Sequence, residues 1–145
     1  MTHLFYFGGL LFLIYEIYFL FNVVEKVNNV KKYKEYNKEN KDVKYDDMPE
    51  DIKSQVLEVL LIGVPYILWL FVGLLSSQWV LFGLLIIFAF GIVTPLRKLV
   101  GFSPLRYIIT TIDTLICIFV IGFIIINKYH LHIDTLSYIK NLFNI

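Results

Sequence analysis

Four stretches of the chain are almost continuously apolar, and the polar residues collect in blocks between them instead of alternating with them. The stretches cover residues 4–24, 56–75, 78–94 and 107–126. The first is broken only by Glu16 and Asn22, the second carries Glu58 at its edge, and the fourth contains Asp113. A helix rises ~1.5 Å per residue, so about 20 residues cover the ~30 Å of a bilayer's hydrocarbon core. The pattern predicts an all-α integral membrane protein with four transmembrane helices in a bundle, forming one membrane domain over residues 1–145. The third span is the shortest, with Gln78 and Trp79 marking its interface. Only Ser76 and Ser77 separate spans two and three, which predicts a tight helical hairpin.

The connectors also carry helical signals. Val23, Val27, Val30, Tyr33 and Tyr36 recur every three to four residues and would continue the first helix beyond the bilayer. Asp47-Met-Pro-Glu50 reads as a capping box, so the second span is expected to end a longer helix that starts near Met48. Residues 25–55 thus form a helical hairpin whose turn lies near 37–46. Thr94-Pro-Leu-Arg97 and Ser103-Pro-Leu-Arg106 each place a hydroxyl at an N-cap and a proline at N1, which predicts two helix starts. The first would open a brief interfacial helix ended by Gly101, the second the fourth span. Leu136, Ile139, Leu142 and Phe143 predict an amphipathic helix within the tail 131–145.

Composition agrees with this class. Of the 145 residues, 58% are hydrophobic, above the ~45–50% of soluble domains. The net charge of +1 comes largely from a mixed block at 25–58, so no nucleic-acid partner is expected. Met1-Thr-His3 offers no basic leader to the first apolar run, which is read as a retained span. Lysine and arginine are unevenly placed. Lys128 and Lys140 lie on one side of the four spans, and the other 11 of the 13 basic residues lie on the opposite side. By the positive-inside rule the loop 25–55 is cytoplasmic and both termini face out.

Glu16 and Asp113 are the ionisable residues inside these stretches. A carboxylate at mid-membrane costs at least ~2.5 kcal/mol, so each marks a candidate site. On a helical wheel Arg106, Thr110, Asp113, Cys117 and Asn127 share one face of the fourth span, while Thr111 and Thr114 lie off it. Glu16 and Asp113 sit at similar depth, and no basic residue is expected at that level. Two such acids would share a proton or a cation, with Thr110 and Cys117 beside them, or would be held by neutral hydrogen bonds across a helix interface. Gly9 on the Glu16 face would let another backbone approach closely, and Pro65 would free the Leu61 carbonyl. Arg97, Lys98 and Arg106 are candidates for lipid headgroups. His3, His130 and His132 map to the outer face and are weak candidates for a metal.

There is no His-Glu-x-x-His, no glycine-rich phosphate loop and no cysteine pair, so neither a cofactor nor enzymatic chemistry is expected. The favoured reading is a non-enzymatic subunit of a membrane assembly, in contact with the lipid bilayer and with a second copy or another membrane protein. The alternatives are a pore or ion- or proton-coupled translocator, holin-like pores included, and a small lipid-acting enzyme.

Overall fold

The computed structural model describes residues 3–40, 43–133 and 137. Among them there is no strand; the chain is all-helical, and four helices are long and apolar enough to cross a membrane. These are α1 (His3–Phe21), α3 (Glu50–Gly73), α4 (Trp79–Val100) and α5 (Pro104–Leu131). The remaining helix, α2 (Val23–Glu39), is polar and follows α1 directly. A 3-10 turn at Tyr45–Asp47 precedes α3.

Each long helix packs on two others: α5 on α1 and α4, and α3 on α1 and α4. Large apolar side chains point outward along all four, among them Phe7, Leu11, Leu60, Leu68, Ile87, Ile112 and Phe119. Inside, Tyr6, Trp69, Phe82, Ile121 and Ile124 form a core at the end shared by the start of α1 and the α3–α4 turn. Trp69 organises it. Its ring stacks on Phe5 at 5.4 Å and meets Phe82 edge-on at 4.9 Å, and its Nε1 donates to the Phe5 carbonyl at 2.9 Å. Gly9 is the reason the indole fits, since a Cβ there would stand 2.7 Å from Trp69 Cζ2. The close neighbour expected at Gly9 is thus a side chain, not a backbone.

The expected hairpin between α3 and α4 is present, and it closes around two small residues. A Cβ on Gly73 would overlap the Phe82 ring. Buried Ser76 accepts the Gln78 backbone N–H at 3.2 Å. Gln78 was expected at an interface but is buried: its Nε2 donates to the Ile124 carbonyl at 3.0 Å, and its Oε1 accepts from Asn127 at 3.2 Å. Asn127 also exchanges two hydrogen bonds with the Ile133 backbone. The buried amides tie the turn to the end of α5 and give the Ile124 and Ile133 carbonyls a partner.

Three boundaries differ from expectation. The first helix does not run on unbroken: at Asn22 (φ −115°, ψ 19°) the ladder is interrupted, and the Asn22 amide donates to the Tyr18 carbonyl at 2.8 Å. Asp47 does not cap α3. It sits in the 3-10 turn, and Pro49 (φ −57°, ψ 147°) occupies the cap position with the helix starting at Glu50.

The third difference matters most. Thr94 (φ −62°, ψ −47°) is fully helical and caps nothing, so α4 runs without a break to Val100, where Gly101 (φ 60°) turns the chain. The helix tolerates Pro95 by widening. Residues Ile87–Val93 form a π-turn, and Thr94 bonds back five residues to the Ala89 carbonyl through both its backbone N–H and its hydroxyl, the latter at 2.8 Å. Pro65 has the same effect in α3, where Val59–Gly63 is a π-turn closed by the Val64 N–H on the Val59 carbonyl. A proline lacks the N–H for its i−4 carbonyl and crowds it, and a five-residue loop of the ladder relieves both. At the second Ser-Pro copy the helix does start as read, with Ser103 extended (φ −68°, ψ 166°) and Pro104 at N1. The expected amphipathic tail, beyond Ile133, lies outside the described residues apart from Ser137.

Candidate functional site

The π-turns of α3 and α4 meet the acids Glu16 and Asp113 in one place. A cavity of about 280 Å³ lies between the four long helices, walled by Glu16 of α1, Gly63 and Tyr66 of α3, Ala89 and Arg97 of α4, and Asp113, Thr114 and Cys117 of α5. Glu16 is buried, 7% exposed. The equal depth read from the two spans therefore places Glu16 and Asp113 on one cavity.

The expectation that no base reaches this level is corrected. Arg97 Nη2 donates to Asp113 Oδ2 at 2.7 Å, joining α4 to α5. The sequence reading ended the third span at Thr94 and put Arg97 in a separate interfacial helix. Because α4 continues through the π-turn, Arg97 extends from the same helix and its long side chain turns inward. Arg106 is also taken up by the protein. It is buried, with its Nη1 donating to the carbonyls of Arg97 and Gly101, each at 3.0 Å, and its guanidinium lies over the Phe102 ring at 4.4 Å. A cation satisfying the last carbonyls of α4 also suits that helix's dipole. Of the three basic residues read as headgroup ligands, only Lys98 is exposed.

Glu16 differs from Asp113 in having no ion-pair partner among the described residues. Tyr66 faces it, and that phenol also faces Cys117 and stacks on Phe12 at 4.9 Å. Cys117 Sγ stands 4.0 Å from Asp113 Oδ1. Thr110 is buried on the same face but is not among the cavity walls. Thr114, expected off this face, is buried and lines the cavity. As expected for a threonine in an apolar helix, its hydroxyl donates to its own preceding turn, the Thr110 carbonyl, at 2.9 Å. Among the described buried side chains, Arg97 Nε and Ser103 Oγ have no hydrogen-bond partner.

A second cleft, of about 440 Å³, lies between α1, α2 and α3 and shares Tyr15, Phe19 and Gly63 with the first. At its polar side Lys26 binds both oxygens of Glu58, at 2.5 and 2.6 Å, and Tyr15 donates to Glu58 at 2.8 Å. This trio was not singled out from the sequence. The available signal was Glu58 at the edge of an apolar stretch, with Lys26 just past the end of another.

The three histidines do not converge on a metal. His3 Nδ1 meets the Tyr129 hydroxyl at 3.3 Å and its ring stacks on that tyrosine, and no group of three His, Cys, Asp or Glu side chains among the described residues is placed to hold an ion. No protein-family model, curated protein or solved structure matches the chain.

Proposed function

We propose that the chain is a multi-pass membrane protein that serves as a non-enzymatic subunit of a membrane assembly, with both termini outside and the α2–α3 hairpin in the cytoplasm. One observation carries this reading: the four long helices turn large apolar side chains outward, while Asp113 turns onto Arg97 and Arg106 onto backbone carbonyls. In hydrocarbon such charges need partners from the protein itself, and a fixed ion pair joining two helices serves architecture. The orientation rests on the charge asymmetry of the loops. The subunit role is supported by α2, which carries Lys31, Lys32, Glu35 and Lys38 beyond the apolar helices, a surface a bilayer would not cover.

The test has two parts. An impermeant thiol reagent should reach Asn40→Cys from the cytoplasmic side and Thr2→Cys from outside. Mass measurement in a mild detergent should then give more than one copy or a bound partner. Labelling of Asn40→Cys from outside would reverse the topology, and a monomer in every detergent would remove the subunit role.

A further inference from the structure

We propose that Glu16 is a proton-binding site, loaded from the α2 side of the membrane through Glu58 and Tyr15. This rests on the membrane placement proposed above and not on the subunit role.

The groups facing Glu16 decide what it binds. From α3 comes Tyr66, from α4 Arg97, from α5 Asp113 and Cys117, and from its own helix Tyr15. Arg97 already neutralises Asp113, so this set carries one negative charge when Glu16 is ionised and none when it holds a proton. A metal cation is disfavoured on two counts. The guanidinium in the same wall repels it, and one carboxylate with a phenol and a thiol falls short of the six or more oxygens a hard cation takes. A proton needs only the carboxyl itself.

The geometry also gives a direction. Toward the start of α1 the space between the helices is filled by rings in contact: Phe5, Tyr6, Trp69 and Phe82, with Ile121 and Ile124 fully buried. On the other side Tyr15 and Phe19 are common walls of the Glu16 cavity and of the cleft bearing Lys26 and Glu58. The Glu58 side chain is 26% exposed and accepts the Tyr15 hydroxyl at 2.8 Å. A partly exposed carboxylate, a phenol bonded to it and a cavity of about 280 Å³ ending at a second carboxyl form a graded path for a proton. At ~30 Å³ per water that cavity has room for the waters that complete it. The π-turn that carries Gly63 lines both spaces, which gives the widening of α3 a use beyond accommodating Pro65.

Dicyclohexylcarbodiimide tests this on the full chain in vesicles. It enters apolar sites and adds to a protonated carboxyl: the acid proton moves to one carbodiimide nitrogen, the carboxylate oxygen bonds to the central carbon, and the adduct rearranges to an N-acylurea with no atom lost. Vesicle orientation is read from an impermeant thiol reagent at Asn40→Cys. Peptide mass should show the adduct on Glu16, absent in Glu16→Gln, with a yield that falls as pH rises on the Asn40 side and ignores pH on the other. Tyr15→Phe should keep the final yield but slow its response to a pH jump about a hundredfold; Glu58→Gln, if Tyr15→Phe does not fold, should do the same. An adduct on Asp113 in place of Glu16, a yield tied to the opposite face or to neither, or an unchanged response in the relay variant would overturn the proposal. A failure of the membrane placement itself would show separately, as Asn40→Cys reactive from both sides of sealed vesicles.

Discussion

The two ends of the molecule are held together by different physics. At the end that carries the start of α1 and the α3–α4 turn, aromatic rings fill the space, the Gln78 and Asn127 amides bond to backbone and to each other, and His3 and Lys128 lie against the rings of Tyr129 and Tyr6. At the end that carries α2, ion pairs take over: Lys26 with Glu58 and Arg97 with Asp113, with Lys34 and Arg106 over Phe102. The cavities lined by carboxyl groups lie toward this second end, and so do the π-turns of α3 and α4, while the π-turn that ends α5, Asn127–Leu131, lies at the first. Shape complementarity between rings leaves little room for rearrangement, whereas charged side chains with long stems can be re-paired. The first end is filled by rings, and the second holds ion pairs beside cavities.

The largest effect should come from removing the ring at the centre of the packed end. Trp69→Ala deletes four ring contacts and a hydrogen bond and should cost about 3–5 kcal/mol of stability, read as lost resistance to thermal unfolding in detergent. A loss no larger than that of a surface variant would break the comparison.

Next comes the Arg97–Asp113 pair. Arg97→Met strands a carboxylate that is 13% exposed and should cost about 2–3 kcal/mol, less than for a fully buried pair because the arginine is 28% exposed. The double variant Arg97→Met/Asp113→Leu should recover most of that loss, since an apolar pair can replace a buried ion pair at little cost. If the double variant is as unstable as the single, the arginine acts through its stem or its carbonyl contact with Arg106, not through the charge.

Gly73→Ala should cost about 1–3 kcal/mol, because the new methyl overlaps the Phe82 ring and the hairpin must open to admit it. Gly122→Ala is the control: a Cβ there meets nothing within 4 Å, and stability should hold within about 0.5 kcal/mol.

The smallest effect belongs to Lys26–Glu58. This pair is as buried as the other, its side chains 12% and 26% exposed, but Glu58 keeps a second donor in Tyr15. Lys26→Met should therefore cost about 1–2 kcal/mol, and the loss should shrink as salt is raised. A cost equal to that of Arg97→Met would mean that the Tyr15 hydrogen bond does not offset the lost cation.

Much of the architecture was legible in the order of residues, because an apolar medium leaves few choices. Four long apolar runs had to be helices, the two serines between the second and third had to be a turn, and Ser103-Pro104 had to start a helix. Thr94-Pro95 carries the same local signal as Ser103-Pro104, yet one is a π-turn inside a helix and the other a helix start. A proline only forbids one hydrogen bond. Whether the chain then breaks or widens depends on whether the residues before it have helix neighbours that hold them in place. Residues 87–93 pack against α5, and Val93 is buried, whereas Gly101 at φ 60° had already ended the helix before Ser103.

The site followed from that one difference. The presence of two carboxyls at one depth was a property of spacing along two helices, and spacing is local. The partner of Asp113 was not local in this sense: Arg97 lies 16 residues away across a turn, and its reach depends on α4 being continuous and rotated by its π-turn. The sequence by itself determined which segments are long and apolar enough to cross a membrane and where along their helices Glu16 and Asp113 stand, because those quantities add up residue by residue. Only the tertiary structure decided which acid is neutralised and which faces a cavity with no ion-pair partner among the described residues. That choice is set by the direction of one long arginine side chain, and its direction by the packing of a helix that had to widen to pass a proline.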